Sequence, residues 1–215
     1  MRQVIIIGGA AKASCLDVEL CDQEGVEIWA VNLHHTRDPW LPRIDRMFNI
    51  HKYALLKAYG YPLIRDAEWC RDNKETIFYV ADRWPDKRMA RALIFPRHEI
   101  ANQFPAARNE YHCNSCDWLL AYALYEGFEA AHLHGWTLAR DGAVEQVSAR
   151  ACAEYWSGFC EGRGMKVILA ADSDLFHPYH LVRTDRVYGY DDCPAWVDES
   201  KDRRFDGAPY RYNDY

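Results

Sequence analysis

Four consecutive β-branched residues, Val4-Ile5-Ile6-Ile7, run into a pair of glycines at Gly8 and Gly9. Side chains branched at Cβ lose rotamer freedom in a helix and pack well on a pleated surface. The run does not alternate between apolar and polar, so both of its faces must be covered. That is the pattern of a central strand in a parallel sheet with helices on either side. It is also far too short to cross a bilayer or to serve as the apolar core of a secretion signal. The glycines end the strand, Ala10 to Ser14 make a small-residue turn, and Cys15 to Cys21 can begin a helix.

The same strand–turn–helix rhythm continues along the chain. Strands are expected at Val26–Val31 (ending at Asn32), Arg46–Ile50 (ending at His51), Thr76–Val80, Ala92–Phe95, Ala130–Leu133 and Val167–Ala170. Helices are expected over Tyr53–Tyr59, from Asn114 to a stop at Gly127, and over about 147–161. Pro85 and Pro96 close turns in the less regular middle. This order predicts an α/β fold, a Rossmann-like three-layer sandwich with a mostly parallel sheet. Residues 1–190 are assigned to that nucleotide-binding domain and 191–215 to an irregular C-terminal tail rich in Tyr, Asp and Arg. In such sheets ligands sit beyond the carboxyl ends of the strands, near the point where strand order reverses.

Charge narrows the choice of partner. The net charge of −6 argues against coating nucleic acid in general, which requires a basic face. No segment of about 20 apolar residues is present, so no membrane partner is expected and the protein is placed in the cytoplasm. The eight cysteines are expected as thiols. Cys113 and Cys116 form a CxxC without a second half, so no metal is expected. A homo-oligomer is left open.

Several strand-end residues can carry chemistry. The turn holding Gly8, Gly9 and Ser14 can offer backbone N–H groups to a phosphate. Asn32 presents a donor and an acceptor at a strand tip, or caps it as an Asx-turn. His51 ends a strand, with His34 and His35 as weaker candidates for acid–base work. His132 and His134 share one strand face, which suits a structural role or a metal pair. The block from Tyr111 to Trp136 reads as a polar turn, a helix, a glycine stop and a strand opening on another glycine. Cys113, Asn114 and Ser115 at the helix start, with Gly135, Trp136 and Thr137 at the strand end, leave room for a nucleotide.

That block resembles the corresponding segment of the family 42 sialyltransferases and their DUF115-type relatives. There a small polar turn opens a helix, which stops at a Gly-aromatic pair before a strand ending in Gly-x-Asp. Trp29-Ala30-Val31-Asn32 is similar to that family's strand-end asparagine, and Gly8 to Ser14 take the place of its Gly-Pro-Ser-Leu loop. A group of bacteriophage proteins resembles the chain still more. It shares the Trp-x-x-Asn strand, the stretch from Pro42 to Phe48 with His51, Asp-Ser-x-Leu at Asp172 to Leu175, and Tyr-Gly-Tyr at Tyr188 to Tyr190.

The resemblance implies a cleft for a nucleotide or nucleotide-sugar lined by Gly8, Gly9, Asn32, Cys113, Asn114, Ser115 and Gly135. It also implies a cytoplasmic site of action, the host's if the chain is phage-encoded. Three departures move the weight from sialyl transfer to the cleft itself, the first being Leu138 and Ala139 where that family has its phosphate-contacting tyrosines. Val144-Glu145-Gln146-Val147 holds no histidine where that family has its catalytic one, and Thr137 replaces the acid of Gly-x-Asp. For glycosyl transfer Glu145 is then the first candidate base and His51 the second. Arg43, Arg46 or the Tyr188/Tyr190 pair would meet phosphate charge. The alternative is a phage protein that binds or hydrolyses a nucleotide without transfer, in DNA modification or host conflict. A dinucleotide oxidoreductase is disfavoured by the missing GxGxxG.

Overall fold

Val4–Ile7 do become the centre of the sheet. In the computed structural model all four are fully buried, with Val4 and Ile6 in one apolar cluster and Ile5 and Ile7 in another. The structure describes residues 1–32, 39–104, 111–138, 144–173 and 175–176, the side chains of 144–148 excepted. All of these fall in the unit Met1–Phe176. The expected boundary at residue 190 and the 191–215 tail lie outside the described residues, as do His34, His35, Tyr188 and Tyr190.

The elements run β1 Gln3–Ile7, α1 Val18–Cys21, β2 Val26–Val31, β3 Arg46–Asn49, α2 Tyr53–Ala58, α3 Leu63–Asp72 and β4 Ile77–Val80. They continue with β5 Leu93–Ile94, α4 Arg97–Gln103, α5 Ser115–Tyr125, β6 Ala130–His134, α6 Val144–Gly162 and β7 Lys166–Leu169. Short 3₁₀ turns occur at Ala13–Cys15 and Lys87–Met89. The strands form one seven-stranded sheet in the order β5-β4-β3-β2-β1-β6-β7. Every pairing is parallel, so the expected mostly parallel sheet is parallel throughout.

Alternating side chains divide the core. Val4, Ile6, Trp29, Val31, Phe48 and Tyr79 pack under α4, α5 and α6. On the opposite face, Ile5, Ile7 and Ile28 meet α1, while Ala30, Met47, Phe78 and Val80 meet α2 and α3. These are the three layers. The edge strands carry less cover: Leu93 and Ile94 are exposed, as is Ile168. No helix among the described residues is long and apolar enough to cross a membrane.

One expected helix is shorter than read. Cys15–Cys21 is divided between the 3₁₀ turn and the four-residue α1, because Asp17 caps the helix by accepting from the Leu20 N–H at 3.0 Å. Two helices were not anticipated, α3 and α4, each following a proline that stands just ahead of its first turn.

Candidate functional site

Sheet order places the reversal point between β1 and β6. From β1 the chain adds β2 to β5 on one side, then returns to lay β6 and β7 on the other. Helices linking parallel strands run back against them, so the N-termini of α5 and α6 share the edge where the strands end.

The turns after β1 and β6 cross in close contact at this point. Gly8 N–H donates to the His134 carbonyl at 2.7 Å, and Ala10 N–H to the Gly135 carbonyl at 3.0 Å. A Cβ on Gly8 would lie 2.7 Å from Trp136 Cδ1 and 2.8 Å from the Gly135 carbonyl oxygen. Gly135 has φ +67°, and a Cβ there would stand 1.9 Å from the Ala11 nitrogen. Both glycines are therefore demanded by the crossing. Gly9 differs, since it is exposed and a Cβ there would meet nothing within 4 Å.

The turn after β7 clamps this crossing. Asp172, 7% exposed, accepts from Gly135 N–H through Oδ1 at 2.9 Å and from Lys12 N–H through Oδ2 at 2.8 Å. Ser173 Oγ accepts from Trp136 N–H at 3.1 Å and donates to the Leu133 carbonyl at 2.7 Å. One buried pair thus fixes both turns of the switch. His134 lies under the crossing with Nδ1 3.9 Å from Asp172 Oδ1, and that buried nitrogen has no hydrogen-bond partner among the described residues. Burial holds its imidazole below the ordinary histidine value, against the opposing pull of Asp172.

Asn32 ends β2, the neighbour of β1, with φ 53°, a left-handed conformation that asparagine tolerates better than most residues. Its N–H donates to the Phe48 carbonyl at 2.8 Å. At the start of α5, Asn114 Oδ1 accepts from the Cys116 and Asp117 N–H groups at 2.7 and 3.1 Å. Asp117 returns the arrangement, accepting through Oδ2 from the Cys113 and Asn114 N–H groups at 3.0 and 3.1 Å. Its Oδ1 takes a hydrogen bond from His112 Nδ1 at 2.9 Å, and the His112 ring is stacked between Trp118 and Trp156. Asn114 Nδ2 meanwhile donates to the Ala149 carbonyl at 3.1 Å. Both ends of this amide are engaged within the protein, so a ligand here would meet Ser115 and the backbone of the turn.

The structure brings Gly8, Gly135 and Trp136 together and sets Asn32 one strand away. Trp136 needs correction as a pocket residue. It is 1% exposed, packs in the α5/α6 cluster and donates its indole N–H to the Ile6 carbonyl at 3.2 Å. Arg43 and Arg46 also need correction as phosphate partners. Arg43 is bound to Asp45 and to the Val26 carbonyl, and Arg46 to Glu27, Glu126 and Tyr122, so both are spent near the strands' amino ends. His51 is exposed beyond β3, about 10 Å from β1 at ordinary strand spacing. Ser14 is exposed in the 3₁₀ turn, and Thr137 is half-buried after Trp136. Glu145 opens α6, and its side chain lies outside the described atoms. His132 is structural, donating from Nε2 to Gln3 Oε1 at 3.0 Å.

Sequence reasoning passed over Asp172 as a site residue, although an acid in the turn after a strand, in Asp-Ser-x-Leu, was a visible signal. It also passed over a buried polar group beyond β3. There Asp66, fully buried, accepts from Asn49 Nδ2 at 2.7 Å and from Tyr61 OH at 3.4 Å.

A seven-stranded parallel sandwich with this clamped switch defines a Rossmann-like α/β protein whose candidate site is the β1/β6 edge. No family model and no curated protein sequence matches the chain. Among solved structures it is similar to the sialyltransferase CstII from Campylobacter jejuni. The complex with the substrate analogue CMP-3FNeuAc has a TM-score of 0.52 and 14% identity, over 79% of this chain and 80% of that one. The complex with cytidine-5′-monophosphate gives 0.52 and 15% over 79% of each chain. An alanine variant of sialyltransferase CST-II with CMP gives 0.53 and 12%, over 78% of this chain and 81% of that one. The likeness is one of fold.

Proposed function

We propose that the chain binds a nucleotide or nucleotide-sugar at the β1/β6 switch and is a small glycosyltransferase-like protein. The observation that carries this reading is the clamped crossing of Gly8 and Gly135. It fixes the Gly8–Lys12 turn, whose Gly8, Ala10, Ala11 and Lys12 N–H groups are engaged within the protein, and leaves the Lys12 side chain exposed, so a phosphate here would be met by the Lys12 ammonium. The solved structures of similar fold hold CMP or a CMP-sugar analogue, which makes cytidine nucleotides the first ligands to test. Asn32, Ser115 and Thr137 supply polar groups for the nucleoside, and Glu145 or His51 takes the acceptor's proton if transfer occurs.

The second reading, a protein that binds or hydrolyses a nucleotide without transferring a sugar, is favoured by the lack of a histidine in Val144-Glu145-Gln146-Val147. The motifs shared with bacteriophage proteins support a phage origin and action in the host cytoplasm under either reading. Titration calorimetry with CMP and CMP-sugars tests the site. Binding is expected, and Lys12→Ala and Asn32→Ala should each weaken it about tenfold with the fold intact. No heat with any nucleotide would refute the reading. Sugar release only when an acceptor is present would separate transfer from hydrolysis.

A further inference from the structure

Just ahead of α5, Cys113, one of the residues expected to line the nucleotide cleft, meets a second thiol that the nucleotide reading does not use, Cys152 on α6. The two sulfurs stand 3.2 Å apart. Cys113 is exposed and Cys152 is buried on α6. Asp117 is the third group close to both sulfurs. We propose that Cys113 and Cys152 form a reversible disulfide that ties the start of α5 to α6, making this pair a redox modification site.

The geometry favours oxidation over a metal. Both oxygens of Asp117 already serve the Cys113 and Asn114 N–H groups and His112, so among the described residues only two sulfurs remain as ligands where a structural zinc takes four. Cys116, the other half of the CxxC, packs against the core on the inner side of α5 and is no partner for Cys113. The sulfurs need to close by about 1.2 Å to reach bonding distance, and Cys113 lies in the non-helical residues ahead of α5, where the chain can yield.

The reaction needs a small disulfide such as glutathione disulfide. The exposed Cys113 thiolate attacks it, forming a mixed disulfide and releasing one glutathione thiolate. Cys152 then gives its proton to water and attacks the Cys113 sulfur, expelling the second glutathione thiolate. Two protein thiols are oxidised, and one glutathione disulfide is reduced to two thiols. Burial, and next the neighbouring Cys113, push the Cys152 thiol up to about 12, so the second step is slow near neutrality and quickens as pH rises.

The test is peptide mapping of the whole chain after incubation with glutathione disulfide, without reduction. A linked peptide pair holding Cys113 and Cys152 is expected, forming faster at pH 9 than at pH 7 and lost on adding dithiothreitol. The oxidised chain should melt roughly 5–10 °C higher, a gain that Cys152→Ser abolishes and Cys15→Ser retains. Three outcomes would overturn the proposal: a glutathione adduct left on Cys113 with Cys152 still reduced, a different cysteine pair, or stoichiometric zinc that protects both thiols. The peptide map reads the link whether or not the chain binds a nucleotide.

Discussion

At the scale of single residues the switch depends on glycines that are not equivalent. Gly135→Ala puts a Cβ into the Ala11 backbone at a left-handed φ, and the structure offers no flexible side chain to move aside. Its expected cost is about 3 kcal/mol or more. Gly9→Ala, one residue from the close-packed Gly8, should change stability by less than about 1 kcal/mol. Urea denaturation of the two variants checks the contrast. Equal losses would show that the turns do not cross as described.

Asp66 gives a pH signature. Burial raises its carboxyl from 3.8 to about 7, against the lowering effect of the bonds from Asn49 and Tyr61. The folded chain therefore keeps a proton that the unfolded chain releases. The associated stability is complete below about pH 4 and is lost as pH rises through about 7. Asp66→Asn removes this dependence, so the variant should gain on the parent by on the order of 2–4 kcal/mol between pH 4 and pH 8. Parallel denaturation curves at every pH would contradict the assignment.

At the scale of elements, α5 was the best read and α3 the worst. The small polar turn before Ser115 and the stop at Gly127 bracket α5 in sequence, and the structure has Asn114 as the N-cap and Gly127 at φ +77°. Removing the cap by Asn114→Ala also frees the Ala149 carbonyl, so a loss of about 1–2 kcal/mol is expected by thermal denaturation. A loss within about 0.3 kcal/mol would mean the cap is replaced by water. The α3 segment does space Leu63, Ala67 and Cys70 at helical intervals toward the core, but a buried carboxylate, Asp66, sits among them and the preceding Gly60 and Pro62 read as a stop rather than a start. Strands were legible because residues buried on both faces read as continuous apolar runs whatever their partners.

At the scale of the whole molecule, Arg46 joins the sheet to α5. Its guanidinium bonds Glu27 at 2.6 Å, Tyr122 OH at 3.0 Å and Glu126 at 3.2 Å, and lies over the Trp29 ring at 5.0 Å. Burial pushes the Glu27 carboxyl up, but the bonds from Arg46 and Trp29 outweigh it and hold it below the ordinary range. Arg46→Ala leaves two half-buried carboxylates facing each other's charge and should cost about 3–5 kcal/mol. Arg46→Met should restore part of this by refilling the volume, and chemical denaturation of both variants reads the difference.

The sequence by itself determined the layering and the parallel sheet. Strand burial, glycine stops and helix caps are local in the chain and follow from which side chains are apolar, flexible or able to cap. It also marked Gly8, Asn32 and Gly135 as strand ends on one edge. Only the tertiary structure decided that β6 lies beside β1, that Asp172 clamps both turns, that Trp136 packs in the core, and that Arg43 and Arg46 bind carboxylates and carbonyls near the strands' amino ends. Those roles depend on contacts between segments more than 100 residues apart in the cases of Gly8 with His134 and Trp136 with Ile6. A side chain's type fixes what it can bond, while only the folded chain fixes which partner reaches it first.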